Sequence, residues 1–155
     1  MNNKTLVRNL IEDVFNRRDL SRLSTYCAED CVCHVSLAST KNIAELRRVY
    51  EGYHIAFSDI RCVLDTQVAE GDLVATRLSA VATNTGVFLG RPATGKKVQL
   101  AGIQVDRVQA GRIAESWVQM DYLSMLQQLD TLPRPQAALQ PARMPSPQRY
   151  QPNEW

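Results

Sequence analysis

Trp117, Gln119 and Asp121 stand two residues apart in a segment that alternates like a β-strand, so extended backbone gathers an indole, an amide and a carboxylate on one face. Ile113 and Glu115 share that parity, while Ala114, Ser116, Val118 and Met120 take the other. An aromatic wall with a donor and a carboxylate is what carbon-acid chemistry asks for. Enolisation needs a base for the α-proton and donors for the developing oxyanion. A carboxylate in an apolar cavity, its pKa raised towards neutrality, serves as that base. Asp121 has a second reading that the residues leave open: it directly precedes a helical segment, where an aspartate caps the first turn.

Further candidates come from the elements that would enclose such a cavity. Tyr53 and His54 lie on or beside an apolar helical stripe with Tyr50 and Phe57, and Phe15 projects from the first amphipathic helix. His34 follows an apolar run, and Gln104 is an amide in the middle of an alternating strand. Arg77, also within a strand, needs a carboxylate or a substrate oxygen if it points inward. Two histidines without metal-ligand spacing exclude a designed metal site. The "GRPATGKK" loop lacks phosphate-loop spacing, and no G-x-S-x-G nucleophile motif occurs.

At 155 residues with 45% hydrophobic and 22% charged content, the chain has the composition of one globular domain. The net charge is only +2 and the basic residues are scattered, which argues against a nucleic-acid footprint. Neither a leader nor a bilayer-spanning segment is expected, and the reading is a cytoplasmic protein. Cys27, Cys31, Cys33 and Cys62 read as reduced, mostly buried thiols. Cys31-Val32-Cys33 is read as sending its two thiols to opposite faces, which suits neither zinc nor a disulfide.

Residues 3–57 read as three helices, the third starting at a Ser39-Thr40 cap. Residues 59–121 read as antiparallel strands with turns at 70–72 and 109–111, and a helix closes the domain at 122–129. Ile60, Cys62, Leu64, Thr66 and Val68 are placed on one face of the first of these strands. Residues 1–131 form the domain, and 132–155 a proline-rich tail holding six of the seven prolines. Tyr150 and Trp155 could dock this tail on the body. The whole is an α+β architecture, a cone-shaped curved antiparallel sheet closed by N-terminal helices.

Five collinear stretches resemble the polyketide-cyclase-like (SnoaL-like, "ester cyclase") branch of the nuclear-transport-factor-2-like superfamily. They are "VFNRRDL" (14–20), "HIAFSDI" (54–60), "VAEGDLVATRL" (68–78), "TNTGVFLGRPATGKKV" (83–98) and "GRIAESWVQMDYLSMLQQL" (111–129). The resemblance implies a cone-shaped pocket, no metal or organic cofactor, and a homodimer through the outer sheet face. It further implies that Asp121, ending the W-x-x-x-D segment, is the acid/base of an intramolecular aldol closure. Asn84 stands where the family often has histidine, which removes a proton relay but keeps a hydrogen bond to a substrate carbonyl. Ser58 replaces a common proline.

The expected protein is therefore a cofactor-independent acid/base enzyme acting on a bulky, hydrophobic, polyketide-like molecule by aldol-type cyclisation or a related isomerisation. Asp121 is its catalytic group. Trp117, Gln119, Gln104, Asn84, Tyr53, His34, His54 and Phe15 contact substrate. A cofactor-free hydroxylase or oxygenase, and a non-catalytic binding module, are the alternatives. The uncharged face of Ala114, Ser116, Val118 and Met120 is assigned to the dimer contact.

Overall fold

The computed structural model describes residues 2–133, apart from residue 38. The proposed docking of Tyr150 and Trp155 lies outside the described residues. Helix α1 (Asn3–Asn9) starts at Asn2, whose side chain accepts the Thr5 amide. It runs directly into a wider π-helical turn over Leu10–Asn16. A short 3₁₀ turn and helix α2 (Leu23–Tyr26) follow. The carboxylate of Asp13 ties this corner together, accepting from Arg17 at 3.0 Å and also binding Arg22 and the Tyr26 hydroxyl.

Strand β1 (Cys27–Val35) comes next, in a stretch expected to be helical. Its Cys and Val residues suit a pleated, half-buried surface better than a helix. Helix α3 (Ile43–Ala56) is capped by Asn42 rather than by Ser39 or Thr40. Asn42 Oδ1 accepts the Glu45 amide, and Glu45 reaches back to the Lys41 amide. The remaining elements are β2 (Arg61–Glu70), β3 (Leu73–Thr83), β4 (Lys97–Gln109), β5 (Arg112–Met120) and α4 (Tyr122–Gln128).

The sheet order is β1-β5-β4-β3-β2. Strands β2 to β5 pair antiparallel with their neighbours, whereas β1 runs parallel to β5, so the sheet is mixed rather than antiparallel. The α+β class and the strongly curved sheet, with helices on its concave face, are as expected. The concave face carries the core, from Leu6, Val7, Leu10 and Val14 of the first helix to Val74, Leu78 and Ile113 of the sheet.

Two bulges decide which side chains face inward. On β5 the pairing steps from Val108↔Ile113 to Arg107↔Glu115, leaving Ala114 as an extra residue. A one-residue slip sends every following side chain to the other face. Ile113 therefore points inward, but Glu115, Trp117 and Gln119 point outward, and Ser116, Val118 and Met120 point inward. On β2, Asp65 is the extra residue between Leu64↔Leu78 and Thr66↔Arg77. Cys62 and Leu64 thus face the core, while Thr66 and Val68 face out, with Val68 61% exposed.

Candidate active site

A cavity opens on the concave side, about 860 Å³ including the open space at its mouth. Its walls are mostly aliphatic and aromatic, from the π-helical turn, α3, all five strands and the start of α4. The polar groups reaching it are few, the arrangement usual in small-molecule sites.

One polar group centres on Asp106. This side chain is 0% exposed, on the inner face of β4. Gln104, two residues earlier on the same face, donates its Nε2 to both carboxylate oxygens at 2.7 and 2.8 Å. Ser116, directly across on β5, donates its hydroxyl at 2.5 Å. Gln104 and Ser116 themselves line the cavity, so Asp106 sits behind two side chains that face it. Burial raises its pKa to about 6, against the downward pull of the Ser116 and Gln104 hydrogen bonds. A carboxyl that titrates near neutrality is suited to exchange protons at physiological pH.

The second polar group is a pair of phenols. Tyr53 of α3 and Tyr122 at the start of α4 both line the cavity, their hydroxyls 2.6 Å apart. Desolvation raises both pKa values, so both phenols stay neutral. Two hydroxyls carry two hydrogens, and their mutual bond uses one. The other has no protein acceptor among the described residues, which leaves one donor for a ligand oxygen. Cys33 acts electrostatically on both tyrosines, and it faces Ser116 across the β1–β5 pairing.

Of the residues expected at the site, Phe15, Tyr53 and Gln104 line the cavity. Phe15 packs edge-on against Tyr50, ring centroids 5.4 Å apart. The Ala114 bulge puts Trp117 and Gln119 on the convex face instead. There Trp117 stacks on His34 at 5.7 Å, and the Arg107 guanidinium lies 5.1 Å from its ring centre. His34 meets Glu115 at 2.9 Å, so this histidine also lies outside the cavity. Gln119 accepts a hydrogen bond from Ser36.

Asp121 is exposed and caps α4, its Oδ1 accepting the Ser124 amide at 3.0 Å. It does not line the cavity. His54 Nε2 lies 2.9 Å from the Phe15 carbonyl oxygen, and desolvation lowers its pKa. Asn84 is buried but holds the 84–95 loop. Its Nδ2 donates to the Ala56 and Gly86 carbonyls, and its Oδ1 accepts from the Thr94 amide and hydroxyl. Gly86 is needed beneath it, since a Cβ there would lie 2.2 Å from the Ile55 carbonyl oxygen. Arg77 points to the convex face and pairs with Asp65. Cys31 and Cys33 share the inner face, because residues two apart on a strand point the same way.

The residues missed in the sequence are Asp106 and Ser116. Parity pointed to Asp106, since an inward Gln104 places the residue two further along inward as well. Ser116 was hidden by the bulge. No cluster of three or more His, Cys, Asp or Glu among the described residues is arranged to hold a metal ion. No described helix is long and apolar enough to cross a membrane.

A curved mixed sheet wrapped around a ligand-sized cavity defines a nuclear-transport-factor-2-like fold. The family profile of "SnoaL-like polyketide cyclase" matches residues 5–129, and the chain belongs to that family. Among solved structures it is similar to IdmH, "a putative polyketide cyclase from Streptomyces antibioticus", at 30% identity and a TM-score of 0.71 over 82% of this chain and 97% of that one. It is similar to AclR, "a putative hydroxylase from Streptomyces galilaeus", at 28% identity and a TM-score of 0.74 over 84% and 96%. TsrD from Streptomyces laurentii shares the fold, with a TM-score of 0.76 at 24% identity over 85% and 100%. No curated protein matches the chain.

Proposed function

We propose that this protein is a cofactor-independent acid/base enzyme acting on a bulky, largely apolar polyketide-like ketone or ester. The reaction is an intramolecular aldol-type cyclisation or a related proton-transfer isomerisation. The observation that carries this is the fully buried Asp106, reaching the cavity through Ser116 and Gln104. In this reading Ser116 Oγ takes the substrate's α-proton as its own proton passes to the Asp106 carboxylate. The electron pair of the broken C–H bond moves to the substrate oxygen as an enolate. The free hydrogen of the Tyr53–Tyr122 pair binds that oxygen, which makes the pair the oxyanion donor. The enolate carbon then attacks a second carbonyl of the same molecule, and the proton on Asp106 returns through Ser116 to the new alkoxide. Asp121 keeps the role of helix cap.

The test is α-proton exchange, which needs no knowledge of the natural substrate. Wild-type protein in D₂O should speed deuterium uptake at the α-carbon of 1-tetralone, followed by proton NMR, above the buffer rate. No acceleration with tetralone or with aromatic β-keto esters would overturn the proposal. The Tyr53→Phe/Tyr122→Phe double variant removes both hydroxyls and with them the spare donor. It should slow exchange by about 10²-fold, the usual cost of one oxyanion donor, with circular dichroism unchanged. Exchange at the wild-type rate would remove the tyrosines from the mechanism.

A second reading, cofactor-free hydroxylation, is favoured by the likeness to AclR. The same carbanion would then react with dioxygen, and an oxygen electrode separates the two. Consumption of oxygen in step with substrate supports hydroxylation, and none supports cyclisation.

We also propose the homodimer through the convex sheet face, with its residues reassigned. Ser116, Val118 and Met120 face the cavity and are not available for it. The convex face instead presents exposed Val63, Val81 and Ile103 beside Trp117. Ile103→Lys should convert a dimer to monomers in sedimentation velocity at micromolar concentration. Wild-type protein that is already monomeric would contradict this contact.

A further inference from the structure

Of the chain's five tyrosines, all but Tyr150 lie among the described residues. Tyr26 binds the Asp13 carboxylate, and Tyr53 and Tyr122 bind each other. The Tyr50 hydroxyl has no hydrogen-bond partner among the described residues. Tyr50 lines the cavity from α3. It precedes Tyr53 by three residues on the same helical face, a rise of about 4.5 Å along the axis. Phe15 packs edge-on against its ring. Among the described residues, only Thr40 Oγ1 is sealed from all surface without a partner. The Tyr50 oxygen therefore keeps open surface.

A hydroxyl taken out of water and given no acceptor forfeits hydrogen-bond energy, whereas phenylalanine would fill the same wall without that loss. The cavity walls are mostly apolar, so the acceptor must come from what enters the cavity. Burial, joined by Cys27, Cys33, Asp106 and Cys31, raises the Tyr50 pKa well above its ordinary value. The phenol thus stays neutral and keeps its hydrogen to donate. Its hydroxyl also lies within electrostatic reach of the carboxylate behind Ser116.

We infer that the Tyr50 hydroxyl is a second oxygen-binding position of the cavity, donating to a carbonyl oxygen other than the one held by the Tyr53–Tyr122 pair. The ligand carries two carbonyl groups, and α3 presents a donor for each from successive turns. The inference rests on the proposed binding of one carbonyl by that pair, and not on proton transfer by Asp106. In the aldol reaction, the carbonyl under attack is the one that Tyr50 holds. As the enolate carbon bonds to it, the carbonyl π pair moves onto the oxygen and the Tyr50 hydrogen bond strengthens. The proton for that oxygen comes from Asp106 through Ser116, and Tyr50 keeps its own.

The test uses two ligands without an α-hydrogen, so binding is read with no turnover. One, 2,2-dimethyl-1-tetralone, carries a single carbonyl oxygen. The other, methyl 2-methyl-1-oxotetralin-2-carboxylate, carries two, in a ketone and an ester. Isothermal titration calorimetry of the full-length protein should show wild type binding the keto ester more tightly than the dimethyl ketone. Tyr50→Phe keeps the ring that packs on Phe15. It should weaken keto ester binding by about three- to tenfold, the worth of one hydrogen bond, and leave the dimethyl ketone unchanged. The Tyr53→Phe/Tyr122→Phe double variant should weaken both. In infrared spectra, both carbonyl bands of the bound keto ester should lie below their positions in apolar solvent, and Tyr50→Phe should return one of them. An unchanged keto ester affinity in Tyr50→Phe, an equal loss for both ligands, or no keto ester binding by wild type would overturn the inference. Failure of α-proton exchange with these affinities in place would strike the acid/base reading alone.

Discussion

Asp106→Asn is expected to slow α-proton exchange by about 10²- to 10⁴-fold, the range lost with a general acid/base. Asn has nearly the same shape and can still accept a hydrogen bond from Ser116, but it cannot take a proton near neutrality. The tertiary structure should survive, because Gln104 can turn its amide to meet the new Nδ2. Ser116→Ala should slow exchange in the same direction, since it removes the hydroxyl that links the carboxylate to the cavity. Asp121→Asn should leave both rate and fold as they are, because Asn caps helices as well as Asp. If Asp121→Asn gave the large loss and Asp106→Asn did not, the assignment would revert to the exposed carboxylate.

The same substitution should stabilise the protein above pH 6. The folded-state pKa of Asp106 is raised from 3.8 to about 6 by burial. The folded chain therefore binds this proton more tightly than the unfolded chain does. Below about pH 4 the group is protonated in both states and costs nothing. As pH rises from about 4 to 6 the unfolded chain loses the proton first, and stability falls. Above 6 the penalty is complete, at about 3 kcal/mol for a shift of roughly two units. Asn carries no such penalty. Thermal melts at pH 7.5 should place Asp106→Asn roughly 5–10 °C above wild type, and the two should converge near pH 4. A variant less stable than wild type at pH 7.5 would mean that the carboxylate contributes net stability through its hydrogen bonds. A residue that costs stability directly behind a cavity wall is one sign of a functional site.

The fold was legible because its signals are local and repeated. The three- and four-residue spacing of Leu6, Leu10 and Val14 marked the first helix, and the turns at Gly71 and Gly111 marked two hairpins. Strand β1 was not legible, because its parallel partner lies more than 80 residues away and no turn announces the pairing. The alternation of β5 breaks at one residue. Ala114 looks like any small strand residue, yet as a bulge it inverts the parity of everything from Glu115 onward. Trp117 and Gln119 were thus assigned to the cavity, and Ser116, Val118 and Met120 to the outside. Gln104, on a strand whose pairing has no slip before it, faces inward as its alternation indicated. Asp106 follows from the same parity, two residues beyond Gln104 on the inner face. The capping reading of Asp121 was also available from its place before the last helix.

The central claim, that Asp106 gives and takes the proton, is tested most directly by the pH dependence of wild-type α-proton exchange with 1-tetralone. The carboxylate is the active base, so the enzyme-catalysed rate should rise with pH through a midpoint near 6 and level off above it. This transition should be absent from the residual rate of Asp106→Asn. A midpoint near the ordinary carboxylate value of about 4, or the same transition persisting in Asp106→Asn, would contradict the account.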